Sequence, residues 1–492
     1  MKIAGLDIGT TGCKITVFDE NGAKTDSEYR AYPASRLKST HELDAFALRD
    51  SILEVVKAAA ARFPDIKGIG VTSFGESFIA AGSDGNPLRP LMLYTDPRGA
   101  EECAELVNKL GREKIASVTG LNPHSMYSLP KLMWIARNEP EVFAKIKHVF
   151  LVEDYAVFLL TGKRAIDYSL ATRTMAFDLK TLKWSGEIFG AAGIDSSLFS
   201  EPVPSGTAAG TVSKEAAEKT GLSRDVLVVA VAHDQVAAAV GAGVTEPGIA
   251  AEGAGTVECI TPVYKEIPSG TSFQNNNYNV VPYFGSYVAY AFSYTGGALL
   301  EWCVDNVCRS EKEEARAAGM SVHEYLQRGY KGPTGILVLP HFAGAATPYM
   351  DSGSRGVIAG LDMSTSARDI YFACMEAVAY EMRLNIEKIS ESGIKINRLV
   401  ATGGGAKSAL WTKIKSNVTG LPIDVLETTE AGTVGSAMLT GVATGVFKSL
   451  EEARSKMVVK TSECVPDPET HERYGEIFER YKKLYGAVRP LV

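Results

Sequence analysis

The 492-residue sequence predicts an α/β protein of two domains facing each other across a cleft, and three observations carry that expectation. The chain is longer than one hydrophobic core usually supports, which makes two domains the default. Apolar strand-like runs alternate with segments of helical spacing. An opening unit of strand, glycine-containing turn and strand also recurs about 245 residues further on, close to half the chain.

The elements follow in order. Lys2–Leu6 and Lys14–Phe18 are apolar runs around the turn Asp7–Gly12, and the tetrapeptide Asp19-Glu20-Asn21-Gly22 marks a second turn, so the chain opens as a β-meander. Ala45–Arg62 has the apolar spacing of a helix, and Ile66–Ser73 the unbroken apolar run of a buried strand. Asp225–Ala232 reads as another buried strand, followed after His233-Asp234-Gln235 by an alanine-rich helix, Val236–Gly241. Ile249–Pro262 repeats the opening hairpin, and the turn-like Thr245-Glu246-Pro247-Gly248 places the domain boundary between residues 1–245 and 246–492. Two such halves set their glycine turns opposite one another.

Composition narrows the function. With 45% hydrophobic and 22% charged residues, the chain has the balance of an ordinary globular protein. A net charge of -7 with scattered Lys and Arg gives nucleic acid no footing. The seven cysteines lack CxxC or zinc-type spacing and the seven histidines form no HExxH cluster, so reduced thiols and no structural metal are expected. The N-terminus lacks a signal peptide's apolar region, and the most apolar stretch, Val226–Val244, is broken by His233-Asp234-Gln235. These features predict a cytoplasmic protein with no membrane partner.

Several segments carry chemistry. In Asp7-Ile8-Gly9-Thr10-Thr11-Gly12, backbone N–H groups and threonine hydroxyls can meet phosphate oxygens, Lys14 adds positive charge, and Asp7 can hold Mg²⁺ through water. The alternative is a plain hairpin turn. Gly253-Ala254-Gly255-Thr256 can grip a phosphate chain from the other side. Gly403-Gly404-Gly405-Ala406-Lys407-Ser408 misses the P-loop pattern because Ala406 stands where its second glycine must be. Asp234, between strand and helix, is either an N-cap or a carboxylate able to take a hydroxyl proton in phosphoryl transfer. The loops carrying Glu76 and Tyr94-Thr95-Asp96-Pro97-Arg98 offer acceptors and a donor for a polyhydroxy ligand; the alternative for the second is an Asp–Arg pair that holds a turn.

Together these segments resemble the FGGY family of carbohydrate kinases. Met126–Asn138 (MYSLPKLMWIARN) is similar to that family's first signature, and Gly356–Glu376 (GVIAGLDMSTSARDIYFACME) to its second, with Cys374 in place of a small or aliphatic residue. Since Cys374 falls on a helix, that departure is not expected to disturb chemistry. The resemblance runs from the opening hairpin to Glu430-Ala431-Gly432-Thr433. It implies two ribonuclease-H-like domains of the actin/hexokinase type, with ATP and sugar in the cleft between them. It further implies that Asp7 is the Mg²⁺-associated carboxylate, and that Thr10, Thr11, Lys14, Gly255 and Thr256 contact phosphate. Gly297, Gly404, Gly405 and Ala406 would lie on the adenosine side. Asp234 would be the general base, with Glu76, Tyr94, Asp96, Arg98 and Gln235 around the sugar. Dimers are common among such kinases, so a homodimer is compatible.

The resemblance also bears on substrate. Glycerol kinases typically carry Arg-Glu where this chain has Gly75-Glu76, and xylulose kinases Met-His, so neither assignment is direct. Gly75 is expected to leave room for a larger or differently oriented sugar. The expectation is phosphorylation of a five- or six-carbon ketose, with a polyol kinase and a non-catalytic sugar or nucleotide sensor as alternatives. An actin-like ATPase acting on proteins would leave the sugar-loop carboxylates and both signatures without a role.

Overall fold

Two mixed sheets repeat one plan in the computed structural model, which describes residues 1–37 and 40–491. In the first, Lys2–Ile8 and Gly12–Asp19 form an antiparallel hairpin extended by Lys24–Ala31. Ile66–Ser73 joins Lys2–Ile8 in parallel, Leu227–His233 joins Ile66–Ser73 in parallel, and Thr207–Thr211 closes the edge antiparallel. In the second, Ile249–Ala254 and Glu258–Tyr264 make the hairpin, and Arg398–Thr402 and Ile423–Leu426 follow in parallel. Lys460–Cys464 closes that edge antiparallel. The repeat visible in the sequence therefore occupies the same place in both sheets. Strands covered on both faces need continuous apolar runs, and Val228–His233 is buried throughout.

Two short helices join the halves. Asp234–Gly241 leaves the end of strand Leu227–His233, while Ala431–Ala443 belongs to the C-terminal half. They cross at glycines. A Cβ on Gly241 would stand 1.9 Å from the Ala431 carbonyl oxygen, and one on Gly435 would stand 1.9 Å from that of Ala237. The 431–443 helix also lies on the N-terminal sheet, where Ser436 Oγ donates to the Gly70 carbonyl at 2.8 Å. The 234–241 helix meanwhile touches the C-terminal hairpin. Each half thus lends a helix to a shared floor, and Val236, Val240, Val434 and Met438 bury their side chains there in one apolar cluster. Among the described residues, no helix is long and apolar enough to cross a membrane.

A second fixed point lies inside the C-terminal half. Lys415, in helix Ala409–Thr419, is buried and donates to Glu252 and, at 3.0 and 3.1 Å, to both oxygens of Glu258. One ammonium thereby pins both strands of the second hairpin to the helix. Cys374 is also buried, in the apolar cluster that holds Cys303 and Cys308, which fits the expectation that it stays clear of chemistry.

The crossing makes a prediction. Gly435→Ala has a rigid backbone carbonyl in its way, so it should lower the unfolding free energy in urea by about 1–3 kcal/mol or more, as overpacking does. Gly486→Ala, in helix Pro468–Val488 with nothing within 4 Å of the added methyl, should be neutral or stabilising by about 0.5–1 kcal/mol. Equal effects of the two would mean that the crossing is not tightly packed.

Candidate active site

Strand Leu227–His233 ends at His233, and Asp234 opens the helix that follows. The residue that caps the following helix is His233, whose Nδ1 accepts from the Gln235 backbone N–H at 3.4 Å. Asp234 is the first residue of the helix, not its cap, and its Oδ1 is buried without a hydrogen-bond donor. His233 Nδ1 lies 3.3 Å from that oxygen. Burial and the neighbouring Arg173 push the imidazole well below its usual pKa, however, so it is neutral and offers no ion pair. Burial, then Asp7 and Glu76, push the Asp234 carboxyl up to about 8. The capping alternative fails because His233 already does that work.

Asp7 ends the first strand beneath the N-terminus of the 431–443 helix, where a Cβ on Gly432 would begin 2.9 Å from Asp7 Oδ2. Burial raises Asp7 to about 6, opposed by Lys14 and reinforced by Glu430. Asp7 raises the proton affinity of the neighbouring Asp234, one oxygen of which lacks a donor, and such a carboxylate pair suits a hard divalent cation held mainly by phosphate and water. Among the described residues, no cluster of three or more metal-ligating side chains exists.

Glu76 sits in a tight turn with φ of +63°, a strained setting for a residue with a side chain. Its Oε1 accepts from Arg173 Nε at 2.6 Å and from Nη2 at 2.5 Å. Gly75 does not leave room for a sugar, contrary to the expectation from sequence. A Cβ there would meet Arg173 Cγ and His233 Cδ2, each at 2.8 Å, so the missing side chain makes space for those two residues. Sequence reasoning assigned nothing to Arg173. The available signal was one arginine in Ser169–Phe177, a stretch otherwise free of charge and too apolar to face water.

The second loop is held from within. Asp96 accepts from the backbone N–H groups of His41 and Arg98, at 2.7 and 3.0 Å, and from Arg98 Nε and Nη2, at 2.8 and 2.7 Å. That occupies both of its oxygens, so the Asp–Arg pair that holds a turn is what the geometry displays. Arg98 continues to Glu42 and lies over Trp134, 5.0 Å from the ring centroid. Lys131, fully buried in helix Ser128–Asn138, donates to the carbonyls of Asp96, Arg98 and Ser125. The first signature therefore positions this loop. Tyr94, half-buried, stands close enough to Tyr294 of the C-terminal half to act on its hydroxyl.

Both glycine turns expose residues at their tips, although not every residue in them is open. Gly9 N–H donates to the Gly12 carbonyl, and Thr11 is exposed at the tip beside the half-buried Thr10. Lys14 is paired with Glu430, which also takes Lys24. Gly255 and Thr256 are exposed, and their carbonyls accept from the N–H groups of Gly296, Gly297 and Ala298, so that turn caps the 297–306 helix. Gly297, Gly404 and Gly405 line one cavity of about 540 Å³ together with His323, Gln327 and Tyr371, which the sequence reading missed. Its size suits a small-molecule ligand. Ala406 turns into the apolar core instead.

Residues 2–241 match the N-terminal domain of the FGGY family of carbohydrate kinases, and residues 254–444 match its C-terminal domain. The chain belongs to this family. The kinase is 25% identical to a xylulose kinase of Bacillus subtilis over 498 aligned positions, covering 99% of this chain and 97% of that one. It is 26% identical to an autoinducer-2 kinase of Salmonella typhimurium, covering 100% and 95%. A solved xylulose kinase from Rhodospirillum rubrum superposes with a TM-score of 0.89 at 25% identity, covering 100% and 99%. The kinase thus has the two-domain ATPase fold of these sugar kinases, as expected, and as a carbohydrate kinase takes a small-molecule sugar substrate.

Lys131 is the clearest positioning residue. Lys131→Met should lower stability in urea by about 1–3 kcal/mol, the penalty for leaving buried carbonyls without a donor. It should also slow sugar phosphorylation, because the 94–98 loop loses its anchor. Unchanged stability would mean that the loop holds itself.

Proposed function

We propose that this kinase transfers the γ-phosphoryl group of ATP to a hydroxyl of a neutral five- or six-carbon ketose, with Asp234 as general base. The observation that carries the reading is the buried Asp234 Oδ1, which no protein donor satisfies, at a helix start beside Asp7. A base needs an acceptor that is held in place and not already engaged.

Sugar binds on the side of residues 1–245 and nucleotide on the side of 246–492, with adenosine in the cavity that Gly297, Gly404 and Gly405 line. The acceptor hydroxyl attacks the γ-phosphorus, its proton passes to Asp234, the bond to the β–γ bridging oxygen breaks, and ADP leaves. The turns at Thr10-Thr11 and Gly255-Thr256 present the donors available to phosphate oxygens. Mg²⁺, held near Asp7, would neutralise phosphate charge. Closing the cleft over the shared helical floor excludes water.

One observation favours a second reading, a polyol substrate. The guanidinium absent at position 75 is supplied to Glu76 by Arg173, so the lack of an arginine there no longer counts against glycerol or a related polyol.

The test is coupled ADP release with MgATP across ketoses, polyols and sugar acids. Asp234→Asn should reduce turnover ~10²-fold or more while ATP binding is kept. The raised carboxyl must lose its proton to act, so wild-type kcat/KM should climb with pH to a plateau, with its midpoint at or below about 8. A nearby cation would move the midpoint lower, and Asp234→Asn should lack this limb. Near-normal turnover of the variant would remove Asp234 from the mechanism.

A further inference from the structure

Three residues packed at His233 each carry a buried side-chain atom without a hydrogen-bond partner: Asp234 Oδ1, Arg173 Nη1 and Tyr290 Oη. Tyr290 stacks on His233 with centroids 5.0 Å apart and planes 21° from parallel. The Arg173 guanidinium lies between two rings, 5.2 Å from the centroid of Tyr127 and 5.3 Å from that of Tyr290. Arg173 is 3% exposed and Tyr290 5%. A buried polar atom without a partner is costly, and a folded protein tolerates few. Two such residues beside Asp234, the acceptor already assigned to the reacting hydroxyl, point to a site whose remaining hydrogen bonds are completed by a ligand.

We propose that Arg173 and the Tyr290 hydroxyl are the specificity-determining residues of the sugar pocket, and that they receive oxygens of a neutral ketose or polyol at carbons away from the one Asp234 deprotonates. The inference rests on the proposed kinase reaction and extends it to the part of the substrate that does not react. Arg173 Nε and Nη2 are engaged by Glu76 Oε1, which leaves Nη1 as a donor beside the ring that carries the Tyr290 hydroxyl. A guanidinium donor and a phenol hydroxyl, which can accept or donate, suit sugar hydroxyl groups, each of which can also accept and donate. The charge balance points the same way. The Arg173 guanidinium is already neutralised by Glu76, so a sugar acid gains no free positive charge from it and a neutral ligand is favoured. Tyr290 comes from the C-terminal half, and Arg173, Tyr127 and Glu76 from the N-terminal half. A ligand touching both sets favours the closed cleft, because it gains contacts there that the open form lacks.

The experiment measures initial rates at saturating MgATP with D-xylulose, L-ribulose, glycerol and D-gluconate for wild type, Tyr290→Phe and Arg173→Lys, with melting temperatures of the free proteins. The expected result is a neutral preferred substrate whose KM rises roughly ten-fold or more in both variants, the size of effect that one lost hydrogen bond gives. The KM for ATP should stay unchanged. Tyr290→Phe keeps the ring on His233 and deletes only an unpartnered hydroxyl, so its melting temperature should hold or rise, which a structural role would not produce. Arg173→Lys keeps the charge but cannot supply both the Glu76 contact and the Nη1 donor. A wild-type sugar KM in Tyr290→Phe and in any folded Arg173→Lys overturns the inference while leaving the kinase reading intact. A preference for D-gluconate overturns the charge argument. Wild-type silence toward all four compounds overturns the proposed substrate class, and this inference with it.

Discussion

The crossing of the 234–241 and 431–443 helices is the constraint on which the rest of the molecule depends. Backbone-to-backbone contact at Gly241 and Gly435 lets a helix from each half lie against the other, with no side chain between them. One helix begins at Asp234 and the other begins over Asp7, so the same contact that joins the halves also brings the two carboxylates together. A looser crossing would separate them and open the floor of the cleft. Packing and chemistry share one geometric origin here.

Electrostatics then divides the charged residues into two sets. Asp96, Arg98 and Lys131 satisfy one another and the loop backbone, and Lys415 satisfies Glu252 and Glu258; these groups hold shape. Half-buried Asp7 and Asp234 and buried Tyr290 lack full compensation, and desolvation is the largest cause of each one's raised pKa. Incompletely satisfied polar groups concentrate where a ligand supplies what the protein omits. Glu76 and Arg173 stand between the sets, paired through one carboxylate oxygen and one edge of the guanidinium.

Much of this was legible in the sequence, for physical reasons that can be named. Strands buried on both faces must be continuously apolar, so Ile66–Ser73 and the run ending at His233 were plain, and the paired hairpins betrayed the duplicated plan. Asp234 was visible because a carboxylate between a buried strand and a helix has few roles to choose from. The cap could not be assigned because His233, a rarer capping residue, took it. Gly75 was misread as space for ligand, since a sequence does not reveal which distant side chain fills a gap. Arg173 and Tyr290 lie 97 and 214 positions beyond Glu76 and meet it only through the fold. The Asp96–Arg98 pair was ambiguous because two residues apart in a turn suits both a clamp and a binding site.

The most direct test of the account is a crystal structure of the kinase with its preferred sugar and a non-hydrolysable ATP analogue. One sugar hydroxyl should lie within ~2.6–3.2 Å of an Asp234 carboxylate oxygen and in line with the γ-phosphorus. Further sugar oxygens should lie on Arg173 and Tyr290. A sugar bound in the cleft with no hydroxyl in reach of Asp234, or bound elsewhere on the molecule, would contradict the account.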